Sequence, residues 1–389
     1  MNNQVTGTPV DVVDAVAGVA GGSVLHGVRH ARHKVVAATQ GSYDALFASN
    51  LQSSLTLPER LLLALYASQL SAQPALVSHY RQRLHAESLP SEWPPLLDPV
   101  KPEAFASQRL HVLLAFTRRL TVKPVEGDRE ALQSLQSADL DTPSAVVLAQ
   151  LLAFISYQVR LIAGLAAIAQ PHDPATAEPA PPGEREPGAQ SGAFIDIQGF
   201  TNRTLGWRSW LDILELERAN PEQLAVLEES HPKAKVSEYY LTLIHQPGIL
   251  RQRSLAFNAI MYAPGGLPRA ERELASAVVS RINQCVYCAS VHAQRYAQLA
   301  KRDAIIREVF NDPHSAGQTP RERAIVRLAI DLTLQPGSFS TGHLVAARQA
   351  GLGEGELLDL IHAVAIFAWA NRLMLNLGEP IWPETSSAV

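Results

Sequence analysis

The pattern of apolar and polar positions is clearest near residue 275. Leu274, Ala277, Val278 and Ile282 recur at spacings of three and four residues, which is typical of a helix with one buried face. A proline precedes this stretch and an asparagine follows it, and both residue types are common at helix boundaries. The pattern therefore predicts a helix over residues 270–282.

Further helices are predicted downstream of this segment. They cover about residues 284–301, 321–334 and 357–377, with helix starts also expected near Ser340 and Gly353. A proline–glycine pair closes the second of them, and a proline follows the last. No alternation long enough for a useful strand is visible. The predicted fold class is all-α.

A proline-rich stretch divides the chain. Residues 171–187 contain six prolines and no large apolar residue, so this segment can neither sustain a helix nor offset its ordering by burial. We interpret residues 171–193 as a linker. It separates a predicted helical domain at residues 1–170 from a second one at residues 194–389.

The two predicted domains are related at a constant offset of 212 residues. A register held over about a hundred residues indicates duplication of one helical unit. The clearest matches are Glu59-Arg60 with Glu271-Arg272, Leu120-Thr121 with Leu332-Thr333, and Arg160-Leu161 with Arg372-Leu373.

Composition narrows the function classes. Apolar residues make up 47% and aromatic residues 6% of the 389 residues, a balance that favours helices. The net charge of -4 offers no basic field for nucleic acid and no polybasic membrane anchor. The first thirty residues do not resemble a secretory signal, and the apolar runs are too short to span a bilayer. We expect a cytoplasmic protein that binds neither nucleic acid nor membrane.

The candidate chemistry lies in one short stretch. Cys285 and Cys288 are the only cysteines, three positions apart, and His292 follows the second by four. At these spacings the side chains lie on one face of a helix, near its positive N-terminal end, which favours thiolates. Glu273 lies on the preceding helix and can reach His292 only across a tight turn. Glu271 is its competitor, about 200° away around that helix.

This stretch resembles the alkylhydroperoxidase D-like proteins of the carboxymuconolactone decarboxylase-like superfamily. The resemblance rests on the spacing Glu-x11-Cys-x2-Cys-x3-His and on residues 267–295 and 359–380, which look like the peroxidase-related branch. It covers most of residues 196–382 and, more weakly, the first copy. The resemblance implies two tandem helical domains of the alkylhydroperoxidase D-like type.

The resemblance also implies a mechanism. Cys288 would attack a hydroperoxide, Cys285 would resolve the product as a disulfide, and Glu273 with His292 would form the proton relay. The implied reductant is an external dithiol or lipoyl-type group, without a metal or bound cofactor. The superfamily forms trimers or hexamers, so two copies in one chain imply a homotrimer.

Two departures from the pattern qualify these implications. Founding members carry a histidine immediately before the second cysteine, where this chain has Tyr287, which is no base at neutral pH. The first copy lacks the chemistry altogether. In place of Glu273, Cys285, Cys288 and His292 it has Leu61, Gln73, Leu76 and Tyr80.

Other interpretations remain open at this point. The four motif residues could bind zinc as a Cys₂HisGlu site, or the cysteines could be inert core residues. A cysteine-independent lyase and a non-catalytic redox sensor or scaffold are the alternative functions. A histidine-rich run, His26, His30 and His33, suggests a metal but is more typical of a solvated face.

A substrate pocket is expected beside the thiols. Tyr287 lies between the cysteines, and the last predicted helix carries His362, Trp369 and Asn371. Aromatic and polar groups of this kind line small-molecule pockets. Trp369 has the alternative of serving only as a core residue, by its periodicity.

Overall fold

A computed structural model describes residues 11–94, 99–171 and 193–383. The all-α prediction is confirmed, because helices dominate both halves of the described chain. Most of the predicted linker, residues 172–192, lies outside the described residues. The boundaries of the two domains stay a prediction.

The first half contains eight helices within its described residues. They are α1 (Val12–Ala17), α2 (Val24–His30), α3 (His33–Leu46), α4 (Leu57–Leu70), α5 (Pro74–His85), α6 (Gln108–Val122), α7 (Arg129–Ser134) and α8 (Thr142–Ala169).

The second half contains nine helices and four short strands within its described residues. The helices are α9 (Pro221–Ser230), α10 (Glu238–Leu243), α11 (Pro247–Met261), α12 (Arg269–Ile282), α13 (Val286–Ala300), α14 (Ala304–Asn311), α15 (Pro320–Leu334), α16 (Val345–Gln349) and α17 (Glu354–Asn376). The strands are β1 (Asp196–Ile197), β2 (Phe200–Thr201), β3 (Gly206–Ser209) and β4 (Gly378–Ile381).

The strands form two antiparallel pairs, which the sequence did not predict. β1 pairs with β2 in a hairpin, and β3 pairs with β4, with Gly206 opposite Ile381. Segments of two to four residues are too short for an alternation pattern. The β3–β4 pair ties the beginning of the second half to the end of α17.

The duplication is visible in the helix boundaries. α4 and α12 begin and end 212 residues apart, as do α6 and α15, and α8 and α17 begin at that same offset. Local sequence explains several of these boundaries. Ser107 and Thr319, which are equivalent positions, accept a hydrogen bond at the N-termini of α6 and α15.

Side-chain interactions repeat at the same offset. Arg109 pairs with Glu59 at 2.7 Å in the first half, and Arg321 pairs with Glu271 at 2.7 Å in the second. The turn residues Ala72 and Gln284 both have positive φ, 50° and 61°. The two copies therefore share backbone conformation and ion pairing as well as helix order.

The halves pack through equivalent helices, α8 on α17 and α3 on α11. A side chain at Gly164 of α8 would collide with Ile361 of α17, with a Cβ contact of 2.5 Å, so glycine permits a close helix approach. Trp369 Nε1 donates to Gln150 Oε1 across this interface at 2.9 Å. Arg32 of the first half also pairs with Asp359 of the second at 2.6 Å.

Two arginines cross the interface reciprocally. Arg160 donates to the Thr333 carbonyl at 2.6 Å, and its equivalent Arg372 donates to the Thr121 carbonyl at 3.0 Å. Thr121 and Thr333 are themselves equivalent positions. Each copy therefore binds the C-terminal end of a helix in the other copy.

The helices α8 and α17 are long and apolar enough to cross a membrane by length and composition alone. Their most apolar windows are 89% and 94% buried inside the protein. Buried core helices pass the same test, because a helix that is apolar all round belongs either in a core or in a bilayer. The sequence analysis predicted α17 as a helix over residues 357–377, but it did not identify α8.

Candidate active site

The turn between α12 and α13 positions the two cysteines. Gln284 adopts the left-handed conformation, and the amide of Cys285 donates to the Ser280 carbonyl at 2.8 Å. Cys285 then occupies the N-cap of α13, and Cys288 lies in its first turn. The helix–turn–helix expected from the spacing is formed, with α12 and α13 packed on each other.

Both thiols are free and buried, with 1% exposure for Cys285 and 4% for Cys288. Burial, followed by the hydrogen bond with Cys288, raises the pKa of Cys285 well above its ordinary value. Burial therefore works against the thiolate that the helix N-terminus was expected to favour at Cys285.

Glu273 and His292 meet across the two helices. Nδ1 of His292 lies 2.5 Å from Oε2 of Glu273, and both side chains are largely buried. Burial alone would raise the pKa of Glu273, but the charges and hydrogen bonds of His292 and Arg269 outweigh it and lower that pKa. The carboxylate is thus ionised, and it orients the imidazole.

The apolar wall of this pair is Phe367 of α17. The edge-to-face contact between the His292 and Phe367 rings has a centroid distance of 4.3 Å. Glu271, the competing carboxylate, faces away and pairs with Arg321. The rotation of about 200° between the two glutamates accounts for their separate partners.

Asn371 lies beside the thiol pair. Its Nδ2 donates to Ser280 Oγ at 3.0 Å, and its Oδ1 accepts from Asn283 Nδ2 at 3.0 Å. Its hydrogen bond with Cys285 lowers the pKa of that thiol, against the larger effect of burial. The position of Asn283 in the sequence had suggested that it caps α13. It does not do so, because its side-chain amide donates a hydrogen bond to Asn371 instead.

His362 and Trp369 are placed elsewhere, which corrects the pocket expected from the sequence. His362 Nδ1 lies 3.4 Å from the Tyr157 hydroxyl of α8, and Trp369 packs edge-on against Phe154 of α8. Burial, with Arg29 and Arg32 nearby, lowers the pKa of His362 to about 3. Both side chains belong to the interface between the halves. The sequence did not predict this, because α17 is apolar on all sides and its sequence does not show which face meets the thiols.

Tyr287 remains next to the thiols, in the company of residues that the sequence did not reveal. Burial, followed by the charge of Cys288, raises the pKa of Tyr287 to about 12, so it stays protonated. Tyr239 is buried, its hydroxyl has no hydrogen-bond partner among the described residues, and the buried Arg253 guanidinium lies 5.4 Å from the centroid of its ring. The two adjacent aromatic residues at positions 239–240 were the sequence feature from which Tyr239 could have been identified.

The described residues contain one group of three side chains whose metal-ligand atoms lie within 4.8 Å of one another. It consists of Asp14, His26 and His30, two of them from the histidine-rich run. Arg29 already donates to Asp14 at 2.7 Å, which places a positive charge where a cation would bind. Glu273, Cys285, Cys288 and His292 do not converge in this way.

The chain was compared with known proteins. Residues 247–331 match the model of the carboxymuconolactone decarboxylase family. Among solved structures the chain is similar to an alkylhydroperoxidase AhpD core, described as an uncharacterized peroxidase-related protein from Ralstonia eutropha JMP134. The two are 26% identical over 42% of this chain and 87% of that chain, with a TM-score of 0.38.

A second solved structure is an uncharacterized peroxidase-related protein from Silicibacter sp. TM1040. It is 21% identical, covers 42% of this chain and 86% of its own, and has a TM-score of 0.37. No curated protein matches the chain. The resemblance predicted from the motif is confirmed for residues 247–331, the segment that matches the family model and contains Glu273, Cys285, Cys288 and His292.

Proposed function

We propose that this chain, whose residues 247–331 match the carboxymuconolactone decarboxylase family model, is a thiol-dependent peroxidase. The observation that carries the proposal is the hydrogen bond between Glu273 and His292, 2.5 Å long and buried. His292 follows Cys288 by four residues on α13, so the two side chains lie on one face of that helix.

The pair supplies a base for Cys288. With Nδ1 of His292 donating to the ionised Glu273, Nε2 is left unprotonated and can accept the thiol proton, directly or through one water. The carboxylate stabilises the imidazolium that forms. A thiolate rather than a thiol is the nucleophile.

The first chemical step consumes one hydroperoxide. The Cys288 thiolate attacks the terminal oxygen, an S–O bond forms and the O–O bond breaks. The alkoxide takes the proton from His292 and leaves as an alcohol. Cys288 is oxidised to a sulfenic acid and the peroxide is reduced.

The second step closes a disulfide. Cys285 attacks the sulfur of the Cys288 sulfenic acid, an S–S bond forms and water leaves with the sulfenic oxygen. The high pKa of Cys285 means that its proton must be removed as it attacks, and Tyr287 is no base for this purpose. Resolution is therefore expected to be slower than peroxide attack.

An external dithiol then restores the pair by thiol–disulfide exchange. We propose a small dithiol or lipoyl-type group as reductant, with no bound cofactor. We also propose a trimer, by analogy with the resemblance noted in the sequence, and the cytoplasmic location expected from the features of the sequence itself.

The test is mass spectrometry of the reduced protein before and after one equivalent of hydroperoxide, with peroxide loss followed in parallel. We expect a loss of two hydrogen atoms in the wild type, and a sulfenic acid without a disulfide in Cys285→Ser. Cys288→Ser should consume no peroxide.

The matched control for the relay is Glu271→Gln. It lies two residues from Glu273 on the same helix but pairs with Arg321, so it should leave the peroxide rate unchanged while Glu273→Gln lowers it. Equal rates for wild type, Cys288→Ser, Glu273→Gln and His292→Asn would contradict the peroxidase function.

The family match favours one alternative, a cysteine-independent lyase of the kind that the family is named for. Such an activity would survive Cys288→Ser. A non-catalytic redox sensor would form the disulfide once and show no turnover with excess dithiol and peroxide.

A further inference from the structure

A cavity of about 670 Å³ lies between the two halves. Its walls come from equivalent positions of the two copies: residues 70–72 and 282–284, residues 121–125 and 333–337, and the pair Arg160 and Arg372. The volume is in the range of small-molecule sites. Asn283 and Gln284 connect this cavity to the turn that leads into Cys285.

The cavity holds two buried positive charges and no negative one. Arg160 is 5% exposed and Arg372 is 2% exposed, and no residue in the cavity wall is acidic. Within the described residues, all hydrogen-bond acceptors of the two guanidinium groups are backbone carbonyls. These are Ser156 and Thr333 for Arg160, and Leu120, Thr121 and Ala368 for Arg372.

The helix ends offset only part of this charge. The C-termini of α6 and α15 meet the arginines and contribute roughly half a negative charge each. The C-termini of α4 and α12 also line the cavity, but α5 and α13 begin within four residues of them, so opposite dipole ends cancel there. The guanidinium charges are therefore only partly offset, and the exposed Lys123 of the same wall, which pairs with Glu126 at 2.6 Å, adds a further cation. Burial, with Arg160 adding repulsion, lowers the pKa of Arg372.

Donor groups in the cavity are left without partners. Arg160 uses two nitrogen atoms on carbonyls, and its buried Nε has no partner among the described residues. Thr121 Oγ1, in the same wall, is likewise buried and unpaired. Unpaired buried donors are costly, and an oxyanion is the chemical group that satisfies several guanidinium donors at once.

We propose that this cavity binds a small molecule through a carboxylate or phosphate group held by Arg160 and Arg372. The site is separate from the thiols and does not depend on the proposed peroxidase function. The alternative is that the arginines serve only to cap helix ends across the interface.

Thermal unfolding of the full chain tests this proposal. Inorganic phosphate and succinate are titrated separately, each against sodium chloride at equal ionic strength. We expect at least one of them to raise Tm saturably by a few degrees beyond the chloride control. The anion that binds more tightly, phosphate or succinate, identifies whether the site prefers a phosphate or a carboxylate group. Equal Tm values in all three salts would overturn the proposal.

Two variants locate the effect. Arg160→Met removes the fork of donors and should abolish the anion-dependent rise in Tm. Because that variant can also lose stability, Val122→Glu provides an independent test at the rim, where Val122 is 58% exposed and lines the cavity. The new carboxylate should raise the apparent Kd on the order of tenfold.

The matched control is Val236→Glu, because Val236 is 81% exposed and lies outside the cavity wall. It carries the same change in net charge and should bind the anion like the wild type. If Val122→Glu and Val236→Glu have the same anion affinity, binding occurs elsewhere and the proposed site is wrong.

Discussion

The turn between α4 and α5 and the turn between α12 and α13 have the same backbone and different side chains. Ala72 and Gln284 adopt the same left-handed conformation, and the amides of Gln73 and Cys285 donate to equivalent serine carbonyls at 3.1 and 2.8 Å. Only the second turn is followed by a buried cysteine, Cys288. Because the helix packing is duplicated, the candidate chemistry depends on a few side chains that differ between the two copies.

The same difference appears one turn further along each helix. His292 pairs with Glu273, whereas its equivalent Tyr80 donates to Gln158, and Leu61 occupies the position equivalent to Glu273. The first copy fills this space with apolar and neutral groups. It can support the fold and the interface without a titrating pair.

The largest expected difference is between Cys288→Ser and its equivalent, Leu76→Ala. Cys288→Ser should abolish peroxide consumption with a small change in stability. Leu76 is fully buried, so Leu76→Ala should cost about 2–5 kcal/mol of unfolding free energy and keep the activity per folded molecule. Urea denaturation and a peroxide assay on the same samples measure both. Comparable activity losses in the two variants would show that the copies do not divide these roles.

The second prediction concerns pH and Glu273. Because the pKa of Glu273 is lowered in the folded state, its ionisation stabilises the fold above the ordinary glutamate pKa, and this contribution is lost as the pH falls through the folded pKa. Wild type should therefore exceed Glu273→Gln in Tm at pH 7, with the difference shrinking below about pH 4.5. A difference that grows on acidification would contradict the ion pair. Glu271→Gln is the control for a glutamate outside the site.

The third prediction compares the reciprocal arginines. Arg372→Met leaves the helix-end carbonyls of Leu120 and Thr121 without their side-chain donor, whereas Arg160→Met leaves only that of Thr333. We expect Arg372→Met to lower the unfolding free energy by about 1–3 kcal/mol and Arg160→Met by less. Denaturant titration measures both, with the exposed Arg208→Met as control. A larger loss in Arg160→Met would show that acceptor number does not set the cost.

The smallest effects are expected at the turns themselves. Ala72→Gly and Gln284→Gly remove the backbone strain of a non-glycine residue in the left-handed conformation. Each should change the unfolding free energy by no more than about 1 kcal/mol. Because the two turns share one conformation, the two changes should be alike. Stability curves for both variants test this, and opposite signs would mean that the turns differ in strain.

Much of the local structure was readable in the sequence. The predicted helix at 270–282 is α12 (Arg269–Ile282) to within one residue, and the helix predicted at 321–334 is α15 (Pro320–Leu334). Periodicity and boundary residues act over a few positions, so they suffice for single helices. The motif spacing likewise indicated that Glu273 and His292 meet, because both lie on helices joined by a tight turn.

The sequence by itself determined the four long helices around the thiol motif, the register of the duplication and the residues that make up that motif. Only the tertiary structure decided which face of α17 meets the thiols, and it placed Phe367 and Asn371 there while His362 and Trp369 face α8. A helix that is apolar on every side carries no pattern that selects a face, so packing partners far along the chain select it. The high pKa of Cys285 and the crossing of Arg160 and Arg372 have the same origin, because both depend on burial between segments that are distant in sequence.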